Sequence, residues 1–207
     1  MTEATAAPPE QQFEFLGGRL CLDFVNTAAW EHGLPVRERL GSFARLVAWA
    51  RASDVITPRR AAELLRRAEA EPAASRQQLA RATGLRFTLR ELFNAAAQGK
   101  RAPESAVITF NQFLDSVHAT LALANDATGM TLRWNADPSG SDDLLAPVLW
   151  SATALLGCDV LLRVRECAGV SCGWYYLDES RNRSRRWCDM KVCGNREKAR
   201  RHRARSA

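Results

Sequence analysis

The chain has 207 residues, 46% hydrophobic and 25% charged, which is enough for one good core with a small module beside it and far too apolar for a disordered tail protein. No apolar run reaches the roughly eighteen residues of a membrane-spanning helix, and the opening Met-Thr-Glu-Ala-Thr-Ala-Ala-Pro-Pro-Glu has no basic start or apolar stretch of a secretory leader, so a cytoplasmic location is expected. The formal charge of +6 is unevenly spread: Arg163 to Ala207 holds 13 Lys+Arg and 5 Asp+Glu, net +8, and the remaining 16 basic and 18 acidic residues leave the rest at −2.

Residues 1–12, rich in Ala, Pro, Glu and Gln, read as a flexible tail. Phe13 to Leu16 is apolar, Gly17-Gly18 signals a turn, and Leu20 to Thr27 is apolar enough to be buried. Leu40, Phe43, Leu46, Val47 and Ala50 mark one face of a helix expected from about Val36 to Ala52. Thr57-Pro58 reads as an N-cap with proline at the first helical position, starting a helix through Arg67. Ser75 is the expected cap of a third helix that runs toward Gly99. Val107, Phe110, Leu114, Val117 and Leu121 define a fourth, expected to close near Asn125. Met130 to Trp134 alternates like a short strand, and Ser141-Asp142-Asp143 is expected to cap a fifth helix containing Leu144, Val148, Leu149, Ala152 and Leu155. The expectation is a mainly α fold. A helical domain over 13–162 with a short β element would sense a signal or dimerise, and a small zinc-ribbon-like module over 163–207 would follow without a linker.

Four of the six cysteines crowd the basic end, as Cys167-x4-Cys172, fifteen residues, then Cys188-x4-Cys193. Two thiol pairs joined by such a loop suit tetrahedral zinc, and a segment with so few aliphatic residues needs a staple to fold. Cys167, Cys172, Cys188 and Cys193 are therefore the expected ligands of one structural zinc ion, with no position open for catalysis. An aromatic strand at Gly173 to Leu177, a polar turn and a basic return strand are expected to form a hairpin across the metal, with Asn195 capping a basic helix. Arg185, Arg186, Arg196, Lys198, Arg200, Arg201, Arg203 and Arg205 are the candidate nucleic-acid contacts, because eleven arginines against two lysines favour bidentate pairing with phosphate.

The same residues suggest a family. Cys172, Asp178-x-Ser180, Arg185-Arg186-Trp187-Cys188-x-Met190 and Cys193-Gly194-Asn195-Arg196 resemble the CGNR zinc finger, named for that last tetrapeptide. The stretch Gly17 to Thr27 resembles the opening of the ABATE-type domain that commonly precedes it. The resemblance implies a bacterial, stress-responsive transcription regulator with a helical sensor-like body and a DNA-binding finger, and it implies the same four zinc ligands.

Duplex DNA is the expected partner, giving a nucleoid-associated protein. A small-molecule ligand in the helical domain, near the Asp23 and Asn26 side chains, and homodimerisation are further expectations. Asp23 and Asn26 equally suit the satisfaction of buried backbone groups. Alternatives are an RNA-binding module, with Trp174, Tyr175 and Tyr176 stacking unpaired bases, and a redox-sensing or protein-interaction module. His32, His118 and His202 have no Glu or Cys at catalytic spacing, and the usual catalytic motifs are absent from the sequence, so no enzyme is expected.

Overall fold

The computed structural model describes residues 13–31, 33–117, 120–126, 129–135 and 144–205. The expected N-terminal tail, the Ser141-Asp142-Asp143 cap, and His32 and His118 lie outside the described residues. The architecture is mainly helical with short antiparallel hairpins.

Helix α1 (Leu20–Val25) is short, and Cys21 to Val25 are all buried. It packs against α6 (Ala146–Leu156) and the long α4 (Pro72–Ala97). Leu85, Leu89 and Phe93 on α4 and Val148 on α6 are fully buried and form the centre of the main core with Phe24 and Trp49. Two sequence boundaries are met closely. In α3 (Pro58–Ala70) the Thr57 hydroxyl accepts from the Arg60 N–H at 3.2 Å, and β4 (Gly129–Asn135) contains the expected strand.

Three expectations are corrected. The helix expected from Val36 begins only at Phe43, as α2 (Phe43–Ala52), because the Ser42 side chain caps it by accepting from Arg45 N–H. Residues Leu34–Glu38 are instead strand β2, paired with β1 (Ala28–Glu31). The cause lies far along the chain: Arg86 of α4, with no solvent exposure of its side chain, clamps the Glu38 carboxylate and bonds the Thr27 hydroxyl at 3.0 Å. The helix placed at Ser75 starts at Pro72, and the Ser75 hydroxyl donates back to the Glu71 carbonyl at 3.1 Å. The fourth helix, α5 (Glu104–Asp115), stops at Asp115. Beyond it, β3 (Thr120–Asp126) pairs antiparallel with β4 from Thr120↔Asn135 to Asp126↔Gly129. The apolar spacing that continued the helical period on paper is satisfied by a strand partner that no local window contains.

A single 3₁₀ turn (Asp159–Arg163) leads into β5 (Val164–Glu166), which pairs with β6 (Tyr175–Leu177). The small module does consist of a hairpin and a basic helix, α7 (Asn195–Arg205). Its aromatic strand, however, pairs with the segment before Cys167 and not with the basic residues after it. Residues Glu179 to Arg186 are exposed turns.

Candidate metal centre

Strands β5 and β6 bring the first cysteine pair into one connecting loop, and a wide turn (Met190–Gly194) carries the last ligand into α7. Asp189, and not Asn195, caps that turn by accepting from the Val192 N–H at 2.8 Å, and Asn195 is already helical. The four ligand sulfurs lie within 4.8 Å of one another. Cys172 Sγ stands 3.7 Å from Cys188 Sγ, which stands 3.6 Å from Cys193 Sγ. Zinc–sulfur bonds of about 2.3 Å would put tetrahedral sulfurs about 3.8 Å apart, against about 2.05 Å for a disulfide. The donor set and its spacing fit a closed tetrathiolate site, and the module holds one structural zinc ion.

In the absence of metal the surroundings favour a thiolate at Cys167. The Gly169 and Cys188 N–H groups donate to Cys167 Sγ at 3.4 and 3.3 Å. Hydrogen bonds from the Cys172 and Cys188 thiols bring Cys167 down to about 2, and sharing those protons pushes Cys172 and Cys188 up. Burial pushes Cys193 up as well. Metal binding therefore displaces several protons from the sulfurs. Gly169 lies close to the ligands: a Cβ there would sit 3.2 Å from Cys193 Sγ, a tight contact.

The centre is built into the body, which the sequence did not reveal. The Trp30 N–H donates to the Cys172 carbonyl at 3.1 Å, and Trp174 Nε1 donates to the Ala28 carbonyl at 2.8 Å. Arg90 of α4 donates to the Gly173 carbonyl at 2.8 Å, pairs with Glu166 at 3.2 Å and stacks on Trp30. Gly173 has φ +58°, and a Cβ there would lie 2.6 Å from the Trp30 carbonyl oxygen. Ala28 and Trp30 share one buried cluster with the four cysteines, Trp174 and Tyr176. Among these signals only Gly173, between a ligand and an aromatic, was visible locally.

Asp23 and Asn26 answer to backbone. Asp23 Oδ1 accepts the Gly17 N–H at 2.7 Å, and burial raises this carboxyl to about 6. Asn26 binds Tyr175 twice, donating to its carbonyl at 2.7 Å and accepting its N–H at 2.9 Å. Asn26 is thus a buried joint between body and finger.

The candidate nucleic-acid residues divide by partner. Arg185 is a brace: it donates to the Cys188 carbonyl, reaches the Trp187 carbonyl at 2.9 Å and stacks 4.4 Å over Tyr176. Arg186 stacks on Trp187. Arg200 and Arg201 both pair with Glu197, at 2.8 and 3.1 Å, and hydrogen bonds from the two hold that carboxyl down at about 2. Arg196, Lys198 and Arg203 are exposed and carry no ion pair among the described residues. The Arg205 side chain lies outside the described set. Trp174, Tyr175 and Tyr176 are all buried, so they offer no ring face for unpaired bases to stack on.

The ABATE family model, described as "Putative stress-induced transcription regulator", matches residues 18–158. The chain belongs to that family. The CGNR zinc finger model matches residues 163–206, so this ABATE protein carries the finger whose four ligands are described above. No curated protein matches the chain. Among the described residues, no helix is long and apolar enough to cross a membrane.

Proposed function

We propose that this zinc-binding ABATE protein is a DNA-binding transcription regulator whose helix α7 lies against duplex DNA. The observation that carries the reading is α7 itself. It is an 11-residue helix, exposed along almost its whole length and basic on every side, a composition that gains nothing from packing and whose like charges call for a counter-charge. Its root is held by Cys193 and the Asp189 cap, so the zinc centre aims it. Arg196, Arg200 and Arg203, at i, i+4 and i+7, line a groove of about 330 Å³ with the ligand loop Gly169-Val170-Ser171 and with Glu197, the ion-pair partner of Arg200. Guanidinium groups in such a row suit successive phosphates. This reading assigns the chain no reaction and places it with chromosomal DNA in the cytoplasm.

Fluorescence anisotropy with duplex DNA and with single-stranded RNA of equal charge tests it across salt concentrations. Duplex is expected to bind more tightly. Changing Lys198→Ala with Arg203→Ala is expected to weaken binding to all sequences and reduce the slope of log K against log salt by about two. An unchanged slope, or preference for the RNA, would overturn the proposal.

A further inference from the structure

A cavity of about 490 Å³ opens at the seam between body and finger, within the size range of small-molecule sites. Its walls are mixed. Phe13, Leu16, Val36 and Val192 supply apolar surface, and the sulfur-bearing Cys172, Cys188 and Cys193 also line it. Five charged side chains line it: Glu14, Arg37, Arg39, Asp189 and Arg196. Three of these are engaged. Arg39 pairs with Glu14 at 3.0 Å and lies 5.1 Å over the Trp174 ring, and Asp189 caps the Met190–Gly194 turn. The guanidinium groups of Arg37 and Arg196 have no hydrogen bond or ion pair with any described residue. One stands on β2 of the body and the other in the first turn of α7.

We infer that this cavity binds a small organic monoanion, a carboxylate on an aromatic or branched apolar body, with the carboxylate held between Arg37 and Arg196. The guanidinium fork matches a carboxylate, and each such charge-assisted bond is among the stronger polar contacts. The apolar walls take the body of the ligand. A single negative charge fits better than a doubly charged phosphate ester, because the cysteine thiolates that line the cavity already bring negative charge. A ligand so placed touches both modules at once, and Arg196 is a basic residue of the helix proposed to meet DNA. The site goes beyond the DNA-binding reading and does not depend on it.

Isothermal titration of the zinc-loaded full chain with 2-naphthoate tests the site, with neutral 2-naphthamide as the control and no DNA present. Saturable 1:1 binding of the naphthoate is expected, with the amide at least tenfold weaker. Arg37→Ala and Arg196→Ala are each expected to weaken binding about tenfold or more at unchanged zinc content. Val36→Trp, on an exposed strand, is expected to fill the cavity and abolish binding with the circular dichroism spectrum retained. No saturable heat up to about 5 mM, equal binding of the amide, or arginine variants that lose zinc in place of ligand would overturn the inference. The last result would assign both guanidinium groups to balancing the thiolate charge. The DNA measurement above is separate, so either idea can fail without the other.

Discussion

The helical body and the finger solve the same problem by different means. The body buries fully enclosed leucines, Phe24, Phe93 and Trp49 between α1, α2, α4 and α6. The finger has almost no aliphatic interior: its buried cluster is four cysteines, Trp174 and Tyr176, completed by Ala28 and Trp30 of the body. A short segment cannot remove enough apolar surface from water to offset its ordering entropy. It is stabilised by a metal and by residues of its neighbour, so the two regions should not unfold independently.

Removing the metal puts the largest strain on that comparison. A structural zinc site contributes on the order of 10–16 kcal/mol of apparent binding free energy. Chelation, or Cys188→Ser, is expected to unfold the finger and to lower the melting temperature of the body in the same transition, since Tyr175 and Leu177 belong to the main core. Calorimetry that shows two transitions, with the body's unmoved, would break the comparison. Gly173→Ala comes next. Its left-handed backbone and the close Trp30 carbonyl lead to an expected loss of about 3 kcal/mol or more in denaturant titrations. Asn26→Ala would leave both Tyr175 backbone groups buried without partners, at an expected cost of about 2–3 kcal/mol; a loss below about 0.5 kcal/mol would mean that the joint is not needed.

The smallest effect is expected at Asp23 and depends on pH. Burial raises this carboxyl from its ordinary value to about 6, so the folded chain holds the proton more tightly than the unfolded one. That stabilisation is present below about pH 4 and is lost as pH rises through 6. Asp23→Asn keeps an oxygen acceptor for the Gly17 N–H and cannot ionise. Relative to the unmodified chain it should gain about 1.4 kcal/mol between pH 5 and 7.5, measured as the difference between paired denaturation curves so that zinc effects cancel. A flat difference would place the Asp23 proton elsewhere.

The chemistry of the finger was legible because its information is local. Cysteine spacing, the arginine-rich end and the Cys-Gly-Asn-Arg tetrapeptide each lie within a few residues. Thr57-Pro58 announced its helix for the same reason. Errors arose where a distant partner decides. Val36 fits a helical period until Arg86, 50 positions on, takes Glu38. Leu121 fits α5 until Trp134 stands opposite it in β3–β4. The pairing of β6 with β5 needs the three-dimensional arrangement, as does the descent of Tyr175 into the body. Asn26 carried the right two alternatives, ligand contact or backbone partner, and only its position against Tyr175 separates them.

Strand β6 has a consequence for how such chains can be cut and rejoined. Its three residues serve two interiors in turn: Tyr175 and Leu177 point into the body, and Tyr176 into the thiolate cluster. A graft that begins at the first cysteine would carry off the whole of that shared strand, part it from β5 and leave a notch in the donor. Recombination between relatives is therefore expected to succeed only where the exchanged piece brings Ala28, Trp30 and Asn26 along with it.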